Sequence, residues 1–517
     1  MSKSTGFHKS RTEYSMLNIV TGVGGYALSM VLSLINRMVF TRCLPAAYLG
    51  ISGLFSNILG MLSLAELGVS GAIVYALYKP LAENDEEKIA SLVRVFGSAY
   101  KVIGTFIGLA GICLLPVLHL LIGEQPQIRE SIHVVYLFFL FDVAGSYFFT
   151  YRSTLLVAAQ KNYLVTGVTY LFQCILAVVQ AVFLYATRNY MGYLAIQVSC
   201  SMLTYICISR MAVKQYPYIT RSDIKPLEPN ERKNIFRNMR DLMAYNISGV
   251  LVNSTDNIII TYFSGLITTG LASNYTLLTN ALNSLLRQIF NGIGASVGNL
   301  NAVESQEKKF SVFRATNLLN FWVYSWGTVG ILFVSTDLVR LLFGESYAME
   351  FAIPAVLALN FYTVGMQNAM WTFKHTMGLF RYGRFVQMFT AGLNLLFSIV
   401  LGKLWGLFGI FFATFLARLL TNLWYDPYVI YCYAFSKKPL EYLKKYGFYL
   451  AVLAMQIIVC LLVCRWIRIS PLMDVLLKGV LVSLISNGIF FLVFRKSQDF
   501  VAVRTFLDRI RRLLLKH

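Results

Sequence analysis

The stretch from Asn36 to Pro80, NRMVFTRCLPAAYLGISGLFSNILGMLSLAELGVSGAIVYALYKP, decides how the rest of the chain is read. It contains two apolar spans joined by a tight turn at Pro45, with Arg37 in the first and Glu66 inside the second. An ionised side chain in hydrocarbon costs several kcal/mol, so such residues point to a polar path through the interior of a helix bundle. The second span is lined by Ser52, Gly53, Ser56, Gly60, Ser63, Gly68, Ser70 and Gly71, which let neighbouring helices approach closely. A span of that make-up packs or slides against protein.

The composition agrees. The chain has 517 residues, 57% of them hydrophobic and 15% aromatic, with a mean hydropathy of +0.62, well above the roughly 45 to 50% apolar content of soluble domains. No hydrophilic segment is long enough for a folded extramembrane domain, so function has to reside in the membrane part. The net charge of +21 does not indicate nucleic acid, because most Lys and Arg fall in alternate loops between spans, as positive-inside topology requires. The eight Cys form no Cys-x-x-Cys pair and read as small core residues. The basic start MSKSTGFHKSRTEYS precedes an apolar run with no small-residue cleavage site, which predicts a retained first helix.

Windows of about 20 residues predict an all-α polytopic membrane protein of about fourteen transmembrane helices. They run from 16–40, 48–78, 93–122, 132–158, 164–186, 192–213, 242–264, 271–300, 313–334, 351–377, 385–403, 406–433, 446–465 and 472–494. The N-terminus, the loop 214–240, the segment 437–445 and the tail after Arg495 are rich in Lys and Arg, which places both termini in the cytoplasm and Glu345 outside. The long polar loop after span six divides the chain into an N-terminal lobe (1–241), a C-terminal lobe (242–435) and an addition of two spans with a tail (436–517). Asn36 and Gly50 match Asp256 and Gly270 in spacing, and the turn AAQKNY (158–163) has a counterpart in MGLFRYGR (377–384). Two pseudo-symmetric six-helix lobes, entering the membrane the same way up around a central cavity, are the expected result. The tail from Phe500 to Leu515 reads as a basic amphipathic helix on anionic lipid.

An Arg near the end of the first span, the run Leu49-Gly50 with Gly53, then Ala65-Glu66-Leu67-Gly68 and YALYKPL (75–81), are joined in the second half by NSTDNIII (253–260), SNYTLL (273–278), SVGNL (296–300) and RLLFGESY (340–347). Over spans one to twelve this pattern resembles the Wzx-type polysaccharide and O-antigen flippases of the multidrug/oligosaccharidyl-lipid/polysaccharide (MOP) exporter superfamily. Most of those carry Asp where this chain has Glu66. The resemblance implies a flippase that moves undecaprenyl-pyrophosphate-linked oligosaccharide repeat units to the outer leaflet of a bacterial cytoplasmic membrane, working beside a polymerase and glycosyltransferases. A multidrug or lipid II exporter of the same superfamily is the nearest alternative. A membrane-embedded glycosyltransferase or ligase is the alternative from another class, and the chain lacks the acid-rich external loop it would need.

Ionisable residues inside the spans are the candidate site. Arg37, Arg152, Arg287, Lys374 and Arg418 are the cations expected to line a substrate-binding cavity, and Glu66, Asp142 and Asp256 are acids expected either to couple an ion or to pair structurally between helices. Three acids are too few for five cations, which leaves positive charge for an anionic cargo. Lys101, Arg152 and Lys374 lie within two turns or so of a cytoplasmic end, where snorkelling is the plain alternative. The His residues are not spaced as metal ligands, and no Walker A, Gly-x-Ser-x-Gly, His-Glu-x-x-His or Asp-x-Asp motif occurs. The expectation is a non-enzymatic transporter without cofactors, driven by the membrane potential, with coupling to H⁺ or Na⁺ left open.

Overall fold

The computed structural model describes residues 11–63, 69–118, 128–159, 161–221, 256–303, 305–377, 384–467 and 469–504, with short pieces of 223–235 and 379–382. It is helical throughout these residues and divides into two compact units, Met1–Ser254 and Thr255–His517. Eight helical stretches among the described residues are long and apolar enough to cross a membrane, and one of them, Phe385–Ala434, contains two of the expected spans. The chain is a multi-pass membrane protein. Glu66 and the tail beyond Arg504 lie outside the described residues.

In the first unit the helices are α1 (Arg11–Cys43), α2 (Ala46–Leu62), α3 (Val69–Glu83), α4 (Glu86–Leu114), α5 (Ile132–Thr150), α6 (Ser153–Ala158), α7 (Asn162–Thr187) and α8 (Tyr190–Gln215). The fourth expected span is not one helix: it breaks at Tyr151 and Arg152 between α5 and α6. The hydroxyls of Ser146, Thr150 and Ser153 bond back to Val143, Ser146 and Thr150 carbonyls at 2.7–2.8 Å, a local competition that bends helices. The α7–α8 hairpin turns on Arg188, held in the left-handed region at φ 51°.

The second unit contains α9 (Asp256–Val303), α10 (Gln306–Phe343), α11 (Ala352–Thr376), α12 (Arg384–Leu420), α13 (Asn422–Val429), α14 (Leu440–Cys464) and α15 (Pro471–Phe494). Both α9 and α12 reverse direction at a glycine with positive φ, Gly265 at 81° and Gly406 at 57°. Thr261 and Thr269 hydroxyls stand 3.0 Å apart across the first turn, whereas eight residues of straight helix would separate them by about 12 Å. Across the second, Asn394 donates to Thr414 at 3.0 Å and Thr390 to Thr421 at 2.7 Å. A Cβ on Gly409 would sit 2.0 Å from the Leu401 carbonyl oxygen, so only glycine admits that closure. These turns separate expected spans seven from eight and eleven from twelve.

The same packing scheme recurs inside each unit. In the first, α1 runs parallel to α7 in fixed register, with Ser29 bonded to Gln173 at 2.7 Å and Asn36 to Gln180 at 3.0 Å. Helix α4 lies antiparallel on α5, where Gly104 and Gly111 receive Tyr147 and Leu140. In the second unit α10 lies antiparallel on α11, where Gly327 faces Phe361 and Gly365 faces Tyr324. Gly402 packs beside Phe263, which seats the short first limb of α9 on the α12 hairpin as α1 sits on α7 and α8. The last two spans are part of the second unit's core rather than an appendage. Phe321 stacks on Tyr449 at 4.3 Å, Trp322 stacks on Phe490 at 4.8 Å, and Trp322 and Trp326 donate to Asn487 and Ser483 at 2.6 and 3.1 Å.

Candidate functional site

Each unit contains a ladder of polar side chains between two parallel helices. In the first unit it joins α5 and α6 to α8: Asp142 faces Ser201 and Gln197 with its Oδ1 buried and not hydrogen-bonded among the described residues, and Arg152 Nη1 donates to Ser209 Oγ at 2.9 Å. In the second it joins α11 to the distal limb of α12 and to α13. Asn360 Nδ2 donates to the Phe411 carbonyl at 2.8 Å, Arg418 Nη1 to Gln367 Oε1 at 3.1 Å, and Lys374 Nζ to Asp426 Oδ1 at 2.6 Å. The α11 members 360, 367 and 374 are seven residues apart, two helical turns, so all three face the same neighbour.

The rungs differ chemically. Lys374 is 5% exposed and Asp426 is fully buried, and Asn422 Nδ2 approaches the second carboxylate oxygen at 3.3 Å. This ion pair lies where the helix is already broken, at the distorted Thr421 and ahead of Pro427, which cannot donate a backbone hydrogen bond. Thr390, Thr421 and Asn422 side chains bond one another around that break at 2.7–3.1 Å. Lys374 was expected as a cavity cation, yet a buried carboxylate neutralises it. Asp426, in the last third of span twelve, is a buried acid additional to the expected Glu66, Asp142 and Asp256, and its place next to Pro427 is the signal the sequence carries for it.

Arg152 and Arg287 are different. Arg152 is half-buried at the break between α5 and α6, its guanidinium over the Tyr151 ring at 5.3 Å with the Ser209 hydroxyl as hydrogen-bond partner. Arg287 is exposed on α9 and lies within electrostatic reach of Tyr324. Tyr324 accepts from Asn368 at 2.6 Å and donates to Asn283 at 3.0 Å, which joins α9, α10 and α11 in one polar cluster. Among the described residues neither arginine meets a carboxylate. Asn283, Tyr324, Gln367 and Asn368 are uncharged and escaped the sequence reading, which selected on ionisable groups.

Arg37 is half-buried on α1 and interacts electrostatically with the Tyr193 phenol, which Asn36 also reaches at 3.2 Å. Lys101 is exposed on α4. Asp256 opens α9, and its side chain lies outside the described residues, as does all of Glu66. The eight Cys are unpaired; Cys200, Cys460 and Cys464 are buried, whereas Cys113 is exposed and the other four are half-buried, so the core reading holds for three of them. Among the described residues no group of three or more His, Cys, Asp or Glu could hold a metal ion.

No family model and no curated protein sequence matches the chain. Solved structures do. A lipid II flippase, MurJ, in an inward closed conformation superposes with a TM-score of 0.65 at 14% identity, covering 94% of this chain and 100% of its own. An inward-facing multidrug-resistance MATE transporter of the MOP superfamily gives 0.54 at 15% identity, covering 78% and 94%. A MATE transporter in complex with MaL6 gives 0.50 at 13% identity, covering 81% and 96%. The chain shares its fold with these flippase and MATE transporter structures.

Proposed function

We propose that the chain is a secondary transporter that flips an undecaprenyl-pyrophosphate-linked oligosaccharide across a bacterial cytoplasmic membrane by alternating access. The observation that carries this reading is the placement of Arg152 and Arg287, ionised groups of membrane helices whose neighbours are hydroxyls and phenols rather than carboxylates. Such a cation is costly in a dry, unpaired setting and is accounted for by a wet path and an anionic ligand. The arginine fork suits a diphosphate, and the amides and phenols around Tyr324 suit sugar hydroxyls. Each hydroxyl drawn bare through hydrocarbon would cost several kcal/mol, so a polar path for the head group is what the cargo needs. An inside-negative potential favours outward movement of an anionic head by about 2.3 kcal/mol per charge per 100 mV, which removes the need for an ion if the protein's own charges stay still.

Lipid II is the second reading, because a lipid II flippase superposes over nearly the whole chain and both cargoes share the polyprenyl diphosphate. The two separate by complementation. Expression in cells lacking an O-antigen flippase should restore surface polymer, whereas rescue of growth in cells lacking only their lipid II flippase would favour the second reading. Rescue of neither, with drug resistance gained instead, would sink both. The orientation goes with the proposal: a Cys at position 345 should react with an impermeant thiol reagent in intact cells and one at 225 should not, in a background without native Cys.

A further inference from the structure

The second unit contains a cavity of about 760 Å³ that the transport reading does not use. It lies where three membrane helices end: the last turns of α10, the end of α14 and the start of α15. Helix ends of spans mark the headgroup level of a bilayer, and the exposed Trp466 and Ile469 of the α14–α15 connection fit that level. The floor is apolar, including Leu332, Phe333 and Leu461, while the rim is charged. This division, hydrocarbon below and ions above, matches the upper part of a phospholipid, and the volume is in the range of small-molecule sites.

The rim charges identify the headgroup. Asp337 is 5% exposed and already takes Lys478 at 2.6 Å and Arg340 at 3.3 Å. Arg340 also takes Glu345 at 3.0 Å, and Asp474 accepts from the Ile469 backbone N–H at 2.9 Å. Asp474 is buried on that backbone donor, so the exposed lining charges without an ion pair among the described residues are one carboxylate, Glu350, and one guanidinium, Arg465, which rests on the Trp466 ring at 4.8 Å. One uncommitted anion and one uncommitted cation on the rim of one amphipathic cavity call for a ligand that carries both signs.

We propose that this cavity binds a zwitterionic phospholipid with a primary ammonium, such as phosphatidylethanolamine, Arg465 taking the phosphodiester and Glu350 the ammonium. A primary ammonium donates hydrogen bonds to a carboxylate, which the quaternary ammonium of a choline lipid cannot do. A phosphatidylglycerol offers Glu350 neutral hydroxyl donors but no positive charge, so the pair it makes there is the weaker one. The inference is independent of the transported cargo and of which leaflet the cavity faces.

The test is native mass spectrometry of the delipidated full chain with equal amounts of palmitoyl-oleoyl phosphatidylethanolamine, phosphatidylcholine and phosphatidylglycerol. The wild type should retain one phosphatidylethanolamine with about tenfold preference over the other two. Glu350→Gln should abolish the preference and Arg465→Gln should lower retention of phosphatidylethanolamine itself, while Lys496→Gln, away from the cavity, should change neither. Both site residues are exposed, so the variants keep their fold, which size-exclusion chromatography checks. Equal retention of the three lipids by the wild type, or an undiminished preference in Glu350→Gln and Arg465→Gln, would overturn the proposal.

Discussion

The polar ladder of the first unit and that of the second occupy equivalent places in the repeated packing scheme, yet their ionised members are handled in opposite ways. In the second unit Lys374 and Asp426 satisfy each other in a fully buried pair at a helix break. In the first, Asp142 and Arg152 are ten residues apart on one broken span, about 15 Å along a helix, and each is answered by neutral groups. A closed pair holds helices together, whereas an arginine answered by one hydroxyl retains donors for a ligand. The difference separates the cations that sequence alone had grouped into those that brace the fold and those that can meet cargo.

The comparison breaks first at the ion pair. Lys374→Gln should leave Asp426 buried and uncompensated and cost about 3–5 kcal/mol, seen as loss of folded protein from the membrane. Replacing both, Lys374→Met with Asp426→Leu, should restore most of that amount, since apolar pairs of similar volume substitute well for buried ion pairs. Restored protein with restored export assigns the pair to bracing alone; restored protein without export gives Lys374 a second role at the cargo.

A smaller effect is expected at the packing that positions the second cluster. A Cβ on Gly365 would stand 1.9 Å from the Tyr324 ring, which is fully buried and pinned by Asn283 and Asn368. Gly365→Ala should cost about 1–3 kcal/mol by overpacking and lower the unfolding temperature in detergent. Gly447→Ala, with open space around it, serves as the control and should not. Smaller still, Asp142→Asn should change the amount of folded protein by less than about 1 kcal/mol, because it removes a carboxylate that faces only neutral groups and forms no ion pair among the described residues. A large loss there would show a charged partner for Asp142 and dissolve the contrast between the ladders.

Much of this was legible in the sequence. Hydropathy marked out the eight stretches long and apolar enough to cross a membrane among the described residues, while the bonds from Ser29 to Gln173 and from Asn36 to Gln180 that register α1 on α7 were not read from it. The turns at Gly265 and Gly406 fall where the window reading ended one span and began the next. What hydropathy could not show was the break at Tyr151 and Arg152, which lies among hydroxyls that bond back to carbonyls inside an otherwise apolar run. Pairing was equally hidden. Whether Lys374 is free or neutralised depends on a residue 52 positions away, and only the parallel register of α11 with α12 and α13 brings Asp426 to it. Uncharged members such as Tyr324 and Asn368 are invisible to a search for charge, although they hold more of the cluster together than Arg287 does.

The most direct measurement is export of a labelled lipid-linked repeat unit by Arg152→Gln and Arg287→Gln, read against equal amounts of each protein in the membrane. Neither residue is in an ion pair among the described residues, so both variants should accumulate within about 0.5 kcal/mol of wild type. Export should fall about tenfold, the expected effect of losing one charge-assisted contact worth roughly 1.5 kcal/mol, and Arg→Lys at either position should keep part of it. Undiminished export by both Gln variants at matched protein levels would contradict the account, because the cations it assigns to the cargo would then have no part in moving it.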